Sequence, residues 1–341
     1  RFATQVGFSL SRKAQIVADI EASWERGPYD VETGIHLLRR SDDGHELTYN
    51  LTEPKNHSYV VDGIVVRNCS EYLHVDDSAC NLASLNLLSF LRDDDTFDVE
   101  AFRHAVRVVF AAQEMLVSDS HYPTERIGAN AEAYRQLGMG YTNLGALLMT
   151  LGLPYDSDDG RALAATITAV MTGEAYKTSA RLAARMGPFA GFADNRNATL
   201  EVLAMHRAAV EAIPSSEAVP SSLTQAAREV WTDAVELAAV HGVRNAQATV
   251  LAPTGTISFM MDCDTTGIEP DLALKKMKRL VGGGTMSIVN QSVPRALERL
   301  GYDTEQVADI VAHIDETGSV AHAPHLKDEH IAVFAMSLIN I

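Results

Sequence analysis

The spacing of hydrophobic residues changes twice along the chain, and each change marks a new type of structure. Within residues 1–28, Ile16, Ile20 and Trp24 recur every four positions, and this spacing predicts a short helix. Residues 29–68 instead carry short β-rich apolar runs separated by turn signals, which is typical of a small β module. The chain is therefore expected to begin with a helical stub followed by a β-rich segment.

The last β-rich runs lead to Asn68. The turn signal Asp62-Gly63 lies between the runs His57–Val61 and Ile64–Val66, and an Asp-Gly pair in this setting predicts a β-hairpin. We expect the second strand to hold Asn68 in a fixed position.

Beyond residue 80, helical and strand-like patterns alternate. Apolar residues at helical spacing predict three long helices, over Glu100–Leu116, Asp159–Met186 and Ser221–His241. The last has Ser221-Ser222 as its expected cap and Gly242 as its end. Short apolar runs such as Ala248–Ala252 have the length of buried strands. This alternation favours an α/β fold, a mainly parallel sheet or barrel wrapped by helices.

The composition is that of a folded globular protein. With 341 residues, 46% hydrophobic and 21% charged, the chain can bury a substantial core, which excludes a disordered or collagen-like protein. The formal net charge of −17 disfavours a nucleic-acid partner, so a nucleotide is the expected ligand. The sequence has neither a run of about 20 apolar residues nor the apolar core of a signal peptide. We therefore expect a cytoplasmic protein without a membrane partner.

The cysteines are few and two of them lie close together. Three cysteines, Cys69, Cys80 and Cys263, do not make a disulfide framework in a chain of this length. In a reducing compartment, a close pair such as Cys69 and Cys80 is more often catalytic or metal-binding than structural. Neither belongs to a Cys-x-x-Cys element, so no metal site is predicted. Cys263 is expected to be a small buried apolar residue.

A continuous motif precedes Cys69. It reads Tyr49-Asn-Leu-Thr-Glu-Pro-Lys-Asn-His57-Ser-Tyr-Val-Val-Asp-Gly63-Ile-Val-Val-Arg67-Asn68, and it resembles the C-terminal end of a Hint-type intein. The resemblance implies that Asn68 cyclises and breaks its bond to Cys69, which first accepts the upstream segment as a thioester. His57 would be the general acid or base. Inteins usually have His where this chain has Arg67. Taken without the resemblance, the motif is an ordinary hairpin with a surface histidine.

The helical stub carries a weaker resemblance. Its segment Val6–Lys13, Val-Gly-Phe-Ser-Leu-Ser-Arg-Lys, is similar to the closing segment of LAGLIDADG homing endonucleases, which are often nested inside inteins. The acidic motif that names that family is missing from the stub, so residues 1–28 are expected to cut no DNA.

A second motif begins at Cys69. It reads Cys69-Ser-Glu71-Tyr and continues as Ala79-Cys80-Asn-Leu-Ala-Ser-Leu-Asn-Leu87. On a strand, the side chains of residues 69 and 71 would share one face. The motif resembles the radical site of coenzyme-B12-dependent ribonucleotide reductases, and it favours that class over glycyl-radical or iron-dependent reductases. The resemblance implies that Cys69 is the thiyl residue, Glu71 the general base and Cys80 one of two redox thiols.

Part of that family motif lies upstream of this chain's reductase segment. The position of the family's Asn, two residues before the radical cysteine, is occupied by Arg67, which belongs to the intein-like segment. That Asn and the second redox cysteine would come from the upstream segment joined on splicing.

A phosphate-binding loop is predicted after the apolar run Ala248–Ala252. The loop consists of Pro253, Thr254, Gly255, Thr256, Ile257 and Ser258. Glycine lets backbone N–H groups approach an anion, and the three hydroxyls add donors. On pattern alone this is any threonine-rich turn, but it resembles the reductase phosphate loop, and the resemblance continues through Met260–Asp271. Another family element, Gly138–Leu148, is not a dinucleotide fingerprint, and its small residues are expected to permit close helix packing.

The reductase resemblance covers residues 69–341 and implies the fold and the partners. The expected fold is α/β, part of a ten-stranded reductase barrel, preceded by the β-rich intein segment 29–68 and the stub 1–28. The implied cofactor is adenosylcobalamin, the substrate a ribonucleoside di- or triphosphate, and the reductant of thioredoxin type. The missing upstream halves of the reductase and the intein are further partners, and the isolated fragment is expected to reduce no nucleotide. The alternative is a self-processing fragment whose reductase part is an inactive passenger.

Overall fold

The structure is a computed structural model that describes residues 58–61, 64–67, 74–271, 273–279 and 285–334. The chain divides into two units, residues 1–68 and 69–341. The helix predicted within residues 1–28 lies outside the described residues.

The described part of the first unit is a β-hairpin. Its strands, β1 (Ser58–Val61) and β2 (Ile64–Arg67), are antiparallel, and Val61 pairs with Ile64 so that two residues join them. The hairpin predicted from the Asp62-Gly63 signal is therefore confirmed. Its assignment to an intein stays a prediction.

The second unit is rich in helices. In chain order its described elements are β3 (Asn81–Asn86), a 3₁₀ helix (Leu87–Phe90), α1 (Val99–Asp119), α2 (Glu125–Tyr134), β4 (Leu137–Thr142), α3 (Leu144–Thr150), α4 (Asp158–Met186), α5 (Phe192–Glu211), α6 (Ser221–His241), α7 (Ile257–Met260), β5 (Lys275–Arg279), β6 (Thr285–Val289), α8 (Ser292–Arg299), α9 (Thr304–Thr317) and α10 (Asp328–Phe334). In the part of the chain described here, no helix is long and apolar enough to cross a membrane.

Three long helices, α1, α4 and α6, contribute to the larger hydrophobic core, and they confirm the three helices predicted from spacing. Phe102, Val106 and Phe110 of α1 recur every four residues and are fully buried. They belong to the same cluster as Ile167 of α4 and Trp231 of α6. An apolar stripe at this spacing covers one side of a helix, so each helix turns that side to the core.

The start of α6 differs from the prediction, whereas its end agrees. The N-cap is Pro220, and no side chain caps the first turn, so the cap expected at Ser221-Ser222 is wrong. Gly242 ends the helix with a φ of +74°. Glycine adopts this left-handed conformation without strain, which explains the stop.

The strands that position the site are parallel. β3 pairs with β4 in register from Asn81 opposite Leu137 to Asn86 opposite Thr142. On the other edge of β4, the Leu137 N–H donates to the Gln247 carbonyl at 2.8 Å and the Val250 N–H donates to the Met139 carbonyl at 2.9 Å. The predicted strand Ala248–Ala252 is thus a short parallel partner of β4, bridged at Thr249.

The other described strands form antiparallel hairpins, β1 with β2 and β5 with β6. The described residues therefore confirm mixed α/β structure with one parallel pair. The ten-stranded barrel stays a prediction.

β4 is buried on both faces, and the two faces are built differently. Leu137, Met139 and Tyr141 point into the helical core and are at most 1% exposed. Gly138 and Gly140 point the other way, where a Cβ at Gly140 would lie 2.4 Å from the Val250 carbonyl oxygen. The expectation that these glycines permit helix packing is wrong, because they permit close packing of neighbouring strands.

A smaller core joins α3 to the last three helices. Met149 of α3 packs with Val293 and Leu297 of α8, Ile310 of α9 and Phe334 of α10. Helix α3 directly follows β4, so this second core supports the carboxyl end of the central strand.

A buried ionic network ties the start of β4 to the helices. Glu114 of α1 accepts bonds from Arg135 Nε at 2.5 Å and from Arg244 Nε at 2.9 Å. Its second oxygen accepts from Asn245 Nδ2, which also donates to the Arg135 carbonyl. Ser179 of α4 donates to Asn245 Oδ1 at 2.8 Å. One carboxylate therefore fixes the two segments that lead into β4 and into its Val250 neighbour.

We expect Glu114→Gln to destabilise the fold by about 3–5 kcal/mol, because Arg135 and Arg244 would be left as buried cations without their counter-charge. Urea unfolding of the full chain measures the change. The matched control is Glu211→Gln, which breaks only the exposed pair with Arg228 and should change stability little. Equal effects of the two variants would contradict the network's role.

We expect Gly140→Ala to cost about 1–3 kcal/mol, because the added methyl group forces the backbone of Val250 away from β4. The control is Gly255→Ala, since a Cβ there meets no atom within 4 Å. It should be neutral or stabilising by roughly 0.4–1 kcal/mol. Thermal unfolding of both variants measures the change in stability. A Gly140→Ala variant as stable as the wild type would refute the close packing of β4 against Val250.

Candidate active site

The structure describes only part of the predicted site. Cys80 and the loop Pro253–Ser258 are among the described residues. The predicted thiyl residue Cys69 and base Glu71 lie outside them, as do the predicted splicing residues His57 and Asn68. The described part of the site therefore consists of Cys80, the loop and the residues between them.

Cys80 lies against the glycine face of β4. A Cβ at Gly138 would be 2.7 Å from Cys80 Sγ and 2.4 Å from Leu82 Cδ2. Cys80, which precedes β3, and Leu82 therefore share this face with Gly138. The partly buried thiol is accommodated only because residue 138 has no side chain.

The glycine face continues from Cys80 towards the carboxyl end of β4. A Cβ at Gly140 would lie 3.2 Å from Ser84 Oγ, and Thr142 is the next residue of that face. Gly138 and Thr142 are about 13 Å apart at roughly 3.3 Å per residue. Gly138, Gly140 and the small side chain of Ser84 therefore line a strip that runs from the Cys80 thiol to Thr142.

Three buried hydroxyls meet at the far end of this strip. Thr254 Oγ1 donates to Thr142 Oγ1 at 2.9 Å and lies 2.8 Å from Ser258 Oγ. Ser258 Oγ in turn lies 2.9 Å from Thr142 Oγ1. The Gly267 N–H donates to both threonine hydroxyls. This hydroxyl cluster, Thr142, Thr254 and Ser258, anchors the predicted phosphate loop to β4.

The predicted phosphate loop has an inner and an outer side. Thr254 and Ser258 are buried, whereas Pro253, Gly255, Thr256 and Ile257 are exposed. The first backbone N–H of the loop that donates to an earlier carbonyl group of the loop is that of Ser258. It donates to the Thr254 carbonyl at 3.0 Å. The N–H groups of Gly255, Thr256 and Ile257 precede that bond and have no intrahelical partner to reach. Gly255, Thr256 with its hydroxyl, and Ile257 therefore lie on the outer side.

A second set of bonds fixes the same end of the sheet. Asn143 Nδ2 donates to Asn86 Oδ1 at 2.9 Å, and Asn143 Oδ1 accepts from the Thr265 N–H at 2.9 Å. Asn86 Nδ2 donates to the Met261 carbonyl at 3.2 Å. Asn143 is fully buried with a φ of +72°, a conformation that Asn tolerates better than most residues. These amides join β3, β4 and the loop after α7.

Cys263 borders the hydroxyl cluster. Its thiol is half-buried, not fully buried as expected, and it interacts with the hydroxyls of Thr142 and Ser258. Burial raises the pKa of the Cys263 thiol to about 11, and the carboxylates of Asp264 and Asp262 contribute to the rise. The thiol is therefore protonated at neutral pH, and a protonated thiol is a poor nucleophile.

Among the described residues, no three His, Cys, Asp or Glu side chains are grouped as metal ligands would be. The strip between Cys80 and the hydroxyl cluster is lined instead by glycine, serine and threonine. Three apolar side chains are exposed on the neighbouring elements, Leu82 on β3 and Phe259 and Met260 on α7.

Sequence reasoning missed the strip itself. Gly138 and Gly140 alternate with Met139 and Tyr141, and an alternation of period two is a strand signal. That signal could have placed the glycines on one face of a strand. Thr142 carried no sequence signal, because its partners Thr254 and Ser258 lie more than 100 residues away.

Comparison with known proteins identifies the family. Residues 50–339 match the family model described as the ribonucleotide reductase barrel domain. A vitamin B12-dependent ribonucleotide reductase of Rhodopirellula baltica is 50% identical over 290 residues, which are 84% of this chain and 28% of that protein. One from Streptomyces avermitilis is 53% identical over 270 residues, 78% of this chain and 28% of that protein. A third, from Agrobacterium fabrum, is 44% identical over 299 residues, 82% of this chain and 23% of that protein.

The extent of these matches limits what they assign. The chain spans about a quarter of the length of these curated relatives. The family model's match begins at residue 50, which lies within the segment predicted to belong to the intein. The match therefore does not decide whether residues 50–68 belong to an intein or to the reductase. Across the described part of residues 69–341, the match includes Cys80, the glycine strip and the loop. The chain belongs to the ribonucleotide reductase barrel-domain family.

Proposed function

We propose that residues 69–341 are the C-terminal part of the catalytic barrel of a coenzyme-B12-dependent ribonucleotide reductase. The names of the relatives support this reaction, since each is called a vitamin B12-dependent ribonucleotide reductase. One observation of the structure carries the proposal. Cys80 and the Pro253–Ser258 loop, widely separated in sequence, lie at the two ends of the same face of β4.

The strip suits a nucleotide. A ribose beside the Cys80 thiol would have its phosphates directed along β4 towards the exposed side of the loop. There, the N–H groups of Gly255, Thr256 and Ile257 and the Thr256 hydroxyl would donate to phosphate oxygens. Thr254 and Ser258 hold the loop in place through the hydroxyl cluster.

The proposed chemistry assigns a separate task to each predicted residue. The Cys69 thiyl takes the hydrogen from C3′ of the ribose, and the Glu71 carboxylate takes the proton of the 3′-hydroxyl. The 2′-hydroxyl takes a proton from one of the two redox thiols, Cys80 and the cysteine of the upstream part, and leaves as water. These two thiols also supply two electrons and the second proton, which give C2′ its new hydrogen, and they become a disulfide. C3′ then recovers its hydrogen from Cys69. A thioredoxin-type dithiol reduces the disulfide for the next turnover.

The described residues fit adenosylcobalamin in part. Phe259 and Met260 on α7, next to the Pro253–Ser258 loop, are 69% and 88% exposed, and neighbouring exposed apolar side chains mark a surface for a large apolar ligand. When bound, adenosylcobalamin supplies the unpaired electron that Cys69 carries. The chain's own residues would cover one edge of the cofactor, and its other contacts belong to the upstream part.

We also propose that the chain is an intein-containing precursor fragment that is cleaved between Asn68 and Cys69. The motif from Tyr49 to Asn68 and the confirmed hairpin of β1 and β2 support this. β2 ends at Arg67, so a strand leads directly to the residue whose side-chain amide would attack its own carbonyl. Cleavage here separates Cys69 from the intein segment, so that Cys69 can act as the thiyl residue of the reductase.

We expect that a reductase rejoined from the upstream part and residues 69–341 will make deoxyribonucleotides with adenosylcobalamin. Cys69→Ser should abolish turnover because serine cannot form the thiyl, and Glu71→Gln should lower the rate by about 10²–10⁴-fold because the base is lost. Glu211→Gln, an exposed carboxylate on α5, is the matched control and should keep the wild-type rate. Product analysis by chromatography measures all three.

Absence of turnover from a correctly folded rejoined protein would contradict the reductase proposal and favour the passenger alternative. So would a Cys69→Ser variant that retains wild-type activity.

We expect the purified chain to release a product that begins at Cys69 when it is incubated near neutral pH, and intact-mass spectrometry detects it. Asn68→Ala should abolish release, since alanine has no amide to cyclise. His57→Ala should slow release because proton transfer is lost. An unchanged mass for the wild-type chain would contradict the splicing proposal and leave the reductase proposal untouched.

A further inference from the structure

One side of helix α1 is apolar and exposed. Val108, Met115 and Leu116 are 53%, 71% and 56% exposed, and at 100° per residue they fall on the same side of the helix. Single exposed apolar side chains are common on proteins, but a contiguous apolar group marks an interaction surface. We call this side the α1 flank and define it by Ala101, Ala105, Val108, Ala112, Met115 and Leu116.

The spacing of the α1 flank suits a helix as its partner. Its first five residues follow each other at steps of four, three, four and three positions. Repeats of this kind form the seam between two packed helices. Val108 stands between two alanines, Ala105 and Ala112, and these small residues leave depressions into which the side chains of a second helix can insert.

The charged side chains in the middle of α1 face a different direction. Arg103 and Arg107 bind the buried carboxylate of Glu174 on α4, and Glu114 binds Arg135 in the buried network. These contacts turn one side of α1 towards α4 and the core. The α1 flank is on the opposite side of the helix and therefore points away from α4.

The α1 flank lies at the open side of the parallel sheet. Among the described residues, β3 pairs with β4 alone, whereas β4 has the segment 247–250 on its other edge. Helix α4 lies over that segment, where Thr172 Oγ1 is 3.3 Å from Thr249 Oγ1. Helix α1 lies over β3, where Gln113 Nε2 donates to the Asn81 carbonyl at 2.7 Å. The side of α1 that points away from α4 therefore extends beyond β3.

The upstream part of the reductase is the partner that fits this position. The chain spans about a quarter of the length of its relatives, and the proposed function joins their preceding part to Cys69. Between Cys69 and Asn81, the start of β3, the chain can span at most about 40 Å. The upstream part therefore enters the fold within reach of the α1 flank.

A second copy of this chain is a poorer occupant. Each copy has a formal net charge of −17, and like charges oppose the association of two copies. A helix of the upstream part is instead held near the α1 flank by its covalent connection to Cys69. Such a connection gives a high effective concentration, so docking needs little further loss of freedom.

We propose that the α1 flank is the docking surface for an amphipathic helix of the upstream part of the reductase. This inference rests on the proposed function, in which the upstream part is joined to Cys69. The docked helix covers Val108, Met115 and Leu116, and its apolar side chains insert beside the alanines. In the unjoined chain the α1 flank is exposed.

Methionine oxidation measures this covering directly. Dilute hydrogen peroxide converts exposed methionines to sulfoxides, and peptide mass spectrometry gives the rate at each position. Met115 and the control Met205 of α5 are 71% and 60% exposed, so both should react at similar rates in the unjoined chain. In the rejoined reductase, the rate at Met115 should fall at least about tenfold because the side chain is covered. The rate at Met205 should stay unchanged.

Val108→Glu tests the surface without changing a methionine. A carboxylate buried in an apolar interface opposes docking, so Met115 of the rejoined variant should recover most of the rate it has in the unjoined chain. The matched control is Val202→Glu on α5, where the side chain is 44% exposed, and it should leave Met115 protected. Neither substitution should change the melting temperature of the unjoined chain, because both side chains are exposed there.

Two results would overturn the inference. One is a Met115 that reacts equally fast in the unjoined chain and in the rejoined protein. The other is protection of Met115 in the unjoined chain that grows with its concentration, since a second copy would then be the occupant. A rejoined protein that makes deoxyribonucleotides but leaves Met115 exposed refutes this inference alone. A rejoined protein without turnover refutes the proposed function, so the two failures are distinguishable.

Discussion

The steric constraint on β4 determines the rest of the site. This strand is buried on both sides, and the face opposite the core has no room for side chains at Gly138 and Gly140, where a Cβ would lie within 2.7 Å of neighbouring atoms. Close approach of Val250 and of the β3 residues is the structural consequence. The same face of β4 runs from Cys80 to the Pro253–Ser258 loop.

The surrounding structure keeps this strip rigid. Glu114 and its two arginines fix the segments that enter β4 and its Val250 neighbour, and the hydroxyl cluster fixes the loop to the other end of β4. The helices α1, α4 and α6 fill the opposite face with apolar side chains. A site that is preorganised in this way holds its groups in place without rearrangement when a ligand binds.

Local patterns predicted local structure well. The three long helices and the hairpin around Asp62-Gly63 follow from apolar spacing and turn chemistry, and the structure confirms them. The prediction that Ser221-Ser222 caps α6 was wrong, because the N-cap is Pro220 and no side chain bonds to the first turn. The role of Gly138 and Gly140 was also wrong, because close strand packing depends on Val250 and Leu82, which are distant in sequence. Long-range contacts of this kind leave no trace in spacing.

The chemistry of the site was predicted from motifs and not from spacing. Cys80 and the loop Pro253–Ser258 were identified by resemblance, and the structure brings them to one strip. Neither motif indicated that Thr254 and Ser258 would be buried against Thr142, nor that Cys80 would lie against Gly138. Those features arise from the register of β3 on β4, which a single sequence does not specify.

The most direct test of the account is a crystal structure of the rejoined reductase with a bound ribonucleotide. The account predicts the ribose next to Cys80, with the phosphates on the exposed side of the Pro253–Ser258 loop. A nucleotide bound away from Cys80 and that loop would contradict it.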